Sequence, residues 1–352
     1  MAVIRGSDTT IARVRSPAPR LLWSHVLAQD PLALPDQAPD WTDAIVAAEP
    51  WADASRLYEL DDGTAVVLPL LRHRRMPRSF ASLPYGWGFG GLVGPRANDP
   101  AVIADVLGDL VRMHPLRLRL RANPLGGDVW AASCPVRPHR VLSSRAHVLD
   151  LRPGPEALWS SLKKETRRHI RRCIAFDLDV EVGSGGEFIE AYQQLRRLSV
   201  TRWAERTHEP LWLAVPRAQL AEPPRHMYSL AERLGDRYRM WVVRIDGQPV
   251  AANVVAFGRN AHATRAAMDR ERAGSLGVMA YLDWLAIQDA CAAGAQWYHL
   301  GDSGTSAPLS TYKEGLGAAA HGYAEVRFEP AGWTAIDTGS RRMVKRALGF
   351  VG

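Results

Sequence analysis

The sequence predicts a mixed α/β protein with two domains, and three observations carry that reading. The chain has 352 residues, which is long for one hydrophobic core and suits two of ordinary size. Short apolar strands and amphipathic helices interleave along its whole length. Alternating apolar residues on either side of Asp246-Gly247 mark a β-hairpin over 238–257.

The elements are expected in this order. The first 19 residues carry Arg, Thr and Pro without an apolar block and read as disordered, not as a secretory signal. Residues 20–60 read as helical: Leu21 to Ala28, Trp41 to Ala48, then from Trp51 onward. Ala65 to Leu71 is an apolar strand after the turn Asp61-Asp62-Gly63, followed by the basic patch Arg72-His73-Arg74-Arg75. A glycine- and aromatic-rich loop, Tyr85-Gly86-Trp87-Gly88-Phe89-Gly90-Gly91, comes next. Pro100 to Met113 has helical periodicity, and Leu116 to Arg121 alternates Leu with Arg as a half-buried strand does. A second unit opens near Ala146. Pro153-Gly154-Pro155 leads into one helix over Glu156 to Phe176, because Pro suits a first helical turn. Then follow a strand at Val180, a helix over Glu187 to Trp203, the hairpin, and a strand over Ala261 to Met268. A helix over Ser275 to Ala293 stops at Gly294, and a strand runs over Trp297 to Leu300. The domains are therefore expected at 20–145 and 146–330, with a helical tail over 331–352.

Composition narrows the function. Formal net charge is +7, which fits a polyanionic partner such as RNA or a phosphorylated substrate. No apolar stretch approaches a membrane span. Three cysteines, Cys134, Cys173 and Cys291, lie far apart with no metal-ligand spacing, so a reducing cytosol and no metal or other cofactor are expected. Only four of the 44 basic residues are lysine: Lys163, Lys164, Lys313 and Lys345. Where surface charge defaults to Arg, a retained Lys suggests a need for a compact ammonium.

Three segments carry a family resemblance. The first is Leu158-Trp159-Ser160-Ser161-Leu162-Lys163-Lys164-Glu165-Thr166-Arg167-Arg168-His169-Ile170-Arg171-Arg172. The second is the hairpin with Asp246-Gly247-Gln248-Pro249-Val250-Ala251-Ala252. The third runs from Leu282 to Gly317, with Gly301-Asp302-Ser303 and Tyr312-Lys313-Glu314-Gly315-Leu316-Gly317. Over roughly 145–330 the chain resembles the GCN5-related N-acetyltransferase (GNAT) fold. It is most similar to the Fem family, in which two such domains are fused. The resemblance implies an acyltransferase with a cleft between tandem GNAT-like domains. That family contains aminoacyl-tRNA-dependent enzymes that modify peptidoglycan precursors or small amines in antibiotic pathways. Its fold relatives use acyl-CoA.

Acyl transfer to an amine passes through a tetrahedral oxyanion, which a fixed positive charge stabilises. Lys313 holds the place of the family's lysine, with Tyr312 in place of Phe, and is expected to meet the oxyanion or the terminal tRNA phosphate. Asp302, at a strand end, is a candidate to orient the amine or take its proton. Asp269 is a weaker carboxylate candidate, and His299 reads as core. The run Lys163, Lys164, Arg167, Arg168, Arg171 and Arg172 repels itself on one helix, which suggests an anionic ligand such as a phosphate backbone. Trp203 and Arg206, with Tyr85, Trp87 and Ser303, are expected to line the acceptor pocket. Against acyl-CoA, the turn Arg270 to Gly277 carries Gly274 and Gly277 out of the register that would cradle a pyrophosphate, and Glu271 adds negative charge there. The expected partners are therefore aminoacyl-tRNA as donor and a small amine or cell-wall precursor as acceptor. An acyl-CoA N-acyltransferase is the alternative, and a catalytically silent RNA- or anion-binding protein is the third reading.

Overall fold

A computed structural model describes residues 10–329, apart from 127–128, 136–137, 275 and 305. The expected C-terminal helical tail lies outside the described residues. Chain order begins β1 (Ile11–Arg15), α1 (Arg20–Gln29), α2 (Pro39–Ala48), β2 (Trp51–Asp53), β3 (Arg56–Leu60), β4 (Ala65–Leu68), β5 (Leu71–His73), β6 (Ser79–Ala81), α3 (Pro100–Arg112), β7 (Arg117–Arg121) and α4 (Val129–Ala132). It continues with β8 (Arg140–Asp150), α5 (Pro155–Ser161), α6 (Lys164–Ala175), β9 (Asp179–Gly183), α7 (Gly186–Thr207), α8 (Leu211–Ala221), α9 (Pro224–Leu234), β10 (Tyr238–Ile245), β11 (Gln248–Phe257) and β12 (Ala261–Met268). The last elements are α10 (Arg270–Ala273), α11 (Val278–Ala292), β13 (Trp297–Asp302), α12 (Ala307–Gly315) and β14 (Ala319–Phe328).

The mixed α/β architecture is as expected. Strands β1, β3 and β4 make a small antiparallel sheet. The other eleven form one sheet in the order β2-β5-β6-β7-β14-β8-β13-β12-β11-β10-β9. Strand β14 lies between β7 and β8, so a strand from late in the chain completes the sheet of the first half. The division expected at 145/146 falls inside β8. Strand β11 is buried along nearly its whole length because α11 and α7 cover its two faces, which is why its sequence is continuously apolar rather than alternating.

Three local expectations are corrected. Ile11–Arg15 is a strand, because pairing with β3 satisfies its backbone where the polar composition had suggested disorder. The chain from Trp51 is strand, not helix, since Trp51–Asp53 pairs with β5 and Arg56–Leu60 with β4. The single helix over Glu156 to Phe176 is two. Leu162 and Lys163 are extended, with ψ of 142° and 145°, and the Lys163 N–H donates to the Gly315 carbonyl at 3.0 Å. Lys313, for which no element was expected, lies on helix α12 and is buried.

Strands β12 and β13 are parallel neighbours but pair only at Ala261–Tyr298 and His262–His299. No further pairs join them among the described residues, which leaves a wedge in the sheet between the two strands.

Candidate active site where the two halves meet

The end of β13 collects polar groups from both halves. Gly301 adopts φ +74°, and its N–H donates to His299 Nδ1 at 3.0 Å. That turn aims two carbonyls at α12. Lys313 Nζ donates to Gly301 O at 3.0 Å and Asp302 O at 2.9 Å. An ammonium has three protons, so one remains for another acceptor. Burial pulls the Lys313 pKa down to about 8, against the opposing pull of Asp302 and Asp283.

Asp302 is held from four sides. It accepts from Tyr323 Oη at 2.6 Å, the Gly304 N–H at 2.7 Å, Ser144 Oγ at 2.9 Å and Arg121 Nη2 at 3.1 Å. Arg121, Tyr323 and Ser144 stand on the successive strands β7, β14 and β8, with Tyr323 directly opposite Ser144. Burial raises the Asp302 pKa, but these bonds and the Arg121 charge outweigh it, and the net shift is downward. Such a carboxylate stays ionised and is a poor proton acceptor. Its neighbour Ser303 is buried, and Ser303 Oγ bonds to His147 Nδ1 at 2.8 Å.

The Tyr312 hydroxyl donates to Asp283 on α11, and Asn253 Nδ2 donates to the other oxygen of the same carboxylate at 2.9 Å. Burial pushes Asp283 up to about 6, restrained by the Tyr312 bond, Lys313 and Asn253. Tyr312 thus ties α12, and with it Lys313, to α11.

Sequence reasoning missed a second group. Asp36, in the single helical turn Pro35–Gln37, is fully buried. It accepts from the Phe89 N–H at 2.9 Å and bonds His262 Nδ1 at 2.9 Å. A Cβ on Gly88 would overlap the Asp36 carboxylate, so the glycine-rich loop approaches this aspartate rather than an open surface. With Nδ1 committed to a carboxylate, the imidazole's free nitrogen is Nε2. That nitrogen lies 4.0 Å from where a Cβ on Gly301 would stand. His262 and Lys313 therefore approach Gly301 from its two ends, ring toward Cα and ammonium toward the carbonyl. His299 packs edge-on to His262 at 4.8 Å and is buried, as expected for a core residue. Burial holds its pKa well below the ordinary value, helped by His262, Lys313, Arg121 and His321. The Gly-aromatic loop was the one visible signal for this group; nothing in the sequence linked it to Asp36.

The basic residues of α6 do not reach the wedge. Lys164, Arg168, Arg171 and Arg172 are exposed on the helix, Lys163 precedes it with Cδ 3.9 Å from where a Cβ on Gly315 would stand, and Arg167 turns back to the Ser160 carbonyl at 2.6 Å. The inner face seats on two helix ends. Cys173 Sγ contacts Leu276 O at 3.2 Å, and a Cβ on Gly277 would come within 2.5 Å of His169 Cβ. Thr166 Oγ1 similarly lies 3.0 Å from a Cβ placed on Gly315. So α6 spans from the N-terminus of α11 to the C-terminus of α12. Asp269 caps α10, accepting from the Glu271 and Arg272 N–H groups at 3.0 and 3.2 Å.

The residues expected around the acceptor divide. Trp203, on α7, is exposed and lines an open cavity of about 590 Å³ between α7, α8 and β12. Arg206 is exposed nearby on α7 but is not among the lining residues. Tyr85 is exposed, and the adjacent Gly86 faces the Ala221 carbonyl at the end of α8. Trp87 instead belongs to the core, packed on His226 with a ring separation of 4.2 Å, and its carbonyl accepts from Trp41 Nε1 at 2.9 Å. Ser303 belongs with Lys313. Among the described residues no group of three or more His, Cys, Asp or Glu could hold a metal ion, and no helix is long and apolar enough to cross a membrane.

Residues 160–314 match the family model described as an acetyltransferase (GNAT) domain. No curated protein sequence matches the chain. Among solved structures, FemX is similar at a TM-score of 0.63 with 10% identity, covering 89% of this chain and 96% of that one. The C-terminal DUF2156 domain of a putative lysylphosphatidylglycerol synthetase from Agrobacterium fabrum matches at 0.48 with 12% identity, over 95% and 98% of the two chains. A tandem GNAT protein from the clavulanic acid biosynthesis pathway matches at 0.48 with 14% identity, over 90% and 97%. Residues 160–314 thus match a GNAT domain, and the chain as a whole has a fold like that of FemX.

Proposed function

We propose that this protein transfers an aminoacyl group from charged tRNA to a primary amine at the β12/β13 wedge. The acceptor nitrogen attacks the ester carbonyl, and a C–N bond forms. The carbonyl oxygen becomes an oxyanion beside the remaining Lys313 proton. Collapse breaks the ester C–O bond and releases the tRNA ribose hydroxyl. His262 Nε2 takes the proton from the attacking amine and returns it to the leaving ribose oxygen, while Asp36 holds the imidazole. Asp302, already held by four donors, anchors the end of β13. No covalent enzyme intermediate is needed.

The observation that favours tRNA over acyl-CoA is the seat of α6. A pyrophosphate needs the free first-turn amides of α11. Here His169 stands over Gly277, and the neighbouring Glu271 and Arg272 amides are taken by Asp269. The same helix turns its cations outward, where an extended phosphate backbone can lie.

Titration with pooled charged tRNA and with acetyl-CoA at two salt concentrations tests this. Salt-dependent tRNA binding is expected, and Arg168→Gln with Arg171→Gln should reduce the slope of log K against log salt by about 2. Tight acetyl-CoA binding beside weak, slope-independent tRNA binding would establish the acyl-CoA reading instead.

A further inference from the structure

We infer that the cavity between α7, α8 and β12 is a carboxylate-recognising pocket for the acceptor, which carries its amine at the opposite end from an acidic group. The inference rests on the transfer reading for the word acceptor; the charge selectivity rests on the cavity alone.

The floor of the cavity is a charge cluster with one positive charge in excess. Glu222 accepts from Arg265 Nε at 2.6 Å, Tyr192 Oη at 3.0 Å and Arg196 Nε at 3.2 Å. Burial would raise the Glu222 pKa, but the two guanidiniums pull it below the ordinary range, so it is ionised. Two cations thus share one anion. Arg265 is almost wholly buried, and Arg196 spends Nη2 on the Ala218 carbonyl at 2.6 Å. Neither Nη1 of Arg196 nor Nη2 of Arg265 donates to a protein group among the described residues. The rim pair Arg217–Glu209 is balanced, at 2.5 Å, and leaves the floor's excess uncompensated.

A buried surplus cation is costly unless it is paired, and each arginine keeps one guanidinium nitrogen that can donate to a carboxylate. One surplus charge suits one carboxylate, not a diphosphate. Above the floor the wall is apolar, formed by Val200, Ala204 and Ala214, with the exposed face of Trp203 beside them. This suits a flat apolar body stacked on the indole. The cavity of about 590 Å³ is of a size usual for small-molecule sites. Thr264 also lines it, and His262 precedes Thr264 by two residues on β12. A ligand anchored on the arginines therefore extends along β12 toward the proposed base.

Three probes with one body and different charge test the pocket: indole-3-acetate, indole-3-acetamide and tryptamine. Binding is measured by calorimetry on the full chain, with far-UV circular dichroism confirming that variants are folded. Indole-3-acetate should bind at least about tenfold more tightly than the other two. Arg196→Gln should raise its Kd about tenfold, to that of the amide, and Trp203→Ala should weaken acetate and acetamide alike. Equal binding of the three probes, or an unchanged acetate Kd in Arg196→Gln, would overturn the proposal. So would the absence of indole-3-acetate binding in the millimolar range. The readout is binding, so a failure to transfer from charged tRNA would count against the aminoacyl-transfer reading alone.

Discussion

Lys313 is a buried ammonium held on two backbone carbonyls, and both its proton count and its pKa bear on its role. Its pKa near 8 is below the unfolded value, so the group's contribution to stability is fully present above the unfolded pKa and is lost as pH falls through about 8. Its chemistry runs the other way, because an oxyanion needs the charged form. Single-turnover transfer is therefore expected to fall as pH rises through about 8. Lys313→Met should abolish transfer while shifting Tm by only a few degrees. A rate that stays flat across about pH 7–10, or transfer retained in the Met variant, would remove Lys313 from the mechanism. A lysine stands here in a chain that uses arginine nearly everywhere, and its single nitrogen donates to both the Gly301 and the Asp302 carbonyl.

At the scale of elements, α6 joins structure to proposed function. Its outer cations would meet the donor, and its inner face covers the end of α11. Gly277 makes that contact possible twice over. It holds φ +78°, and it leaves room for the His169 ring. Gly277→Ala is expected to lower unfolding free energy by about 1–3 kcal/mol in urea titration. His169→Ala in the same chain should restore part of that loss, the rest being backbone strain. Strictly additive effects of the two substitutions would mean that α6 does not seat there. Where the sequence suggested one long basic helix, the break at Leu162-Lys163 is what permits this seat. It lets α5 pack into the core through Leu158 while α6 turns to bridge α11 and α12.

At the scale of the molecule, the two halves share one sheet. Leu118 and Leu120 of β7 pack in the same cluster as Val326 and Phe328 of β14, more than 200 residues later. Ser229 Oγ on α9 also donates to the Ala44 carbonyl on α2, at 2.8 Å. The chain is expected to unfold in one cooperative step, with tryptophan fluorescence and far-UV circular dichroism giving the same midpoint. Residues 20–145 expressed alone should fail to fold, because β7 would lose its β14 partner and present an open apolar edge. Two separated transitions, or a stable fragment, would show that the halves are independent. The proposed site needs this sharing, since Asp36, Phe89 and Arg121 reach the Lys313 group only through it.

The class of fold and several elements of the second half are legible in the sequence, whereas α8, α9, α12 and β14 are not. The hairpin over 238–257, the strand Ala261–Met268 and the helix ending at Gly294 were all legible, because apolar runs, turn residues and helix stops are local properties of the chain. The sequence also marked Lys313 and the basic helix, through the scarcity of lysine and the clustering of charge. What those residues touch is set by long-range packing. That Gly88 serves Asp36, that Trp87 is core while Trp203 lines a cavity, and that Asp302 is held by four donors all depend on strands brought together from distant positions. A strand's period tells which residues share a face, but not which strand lies beside it. Here the neighbours that build the site, β7, β14, β8 and β13, come from four separate parts of the sequence.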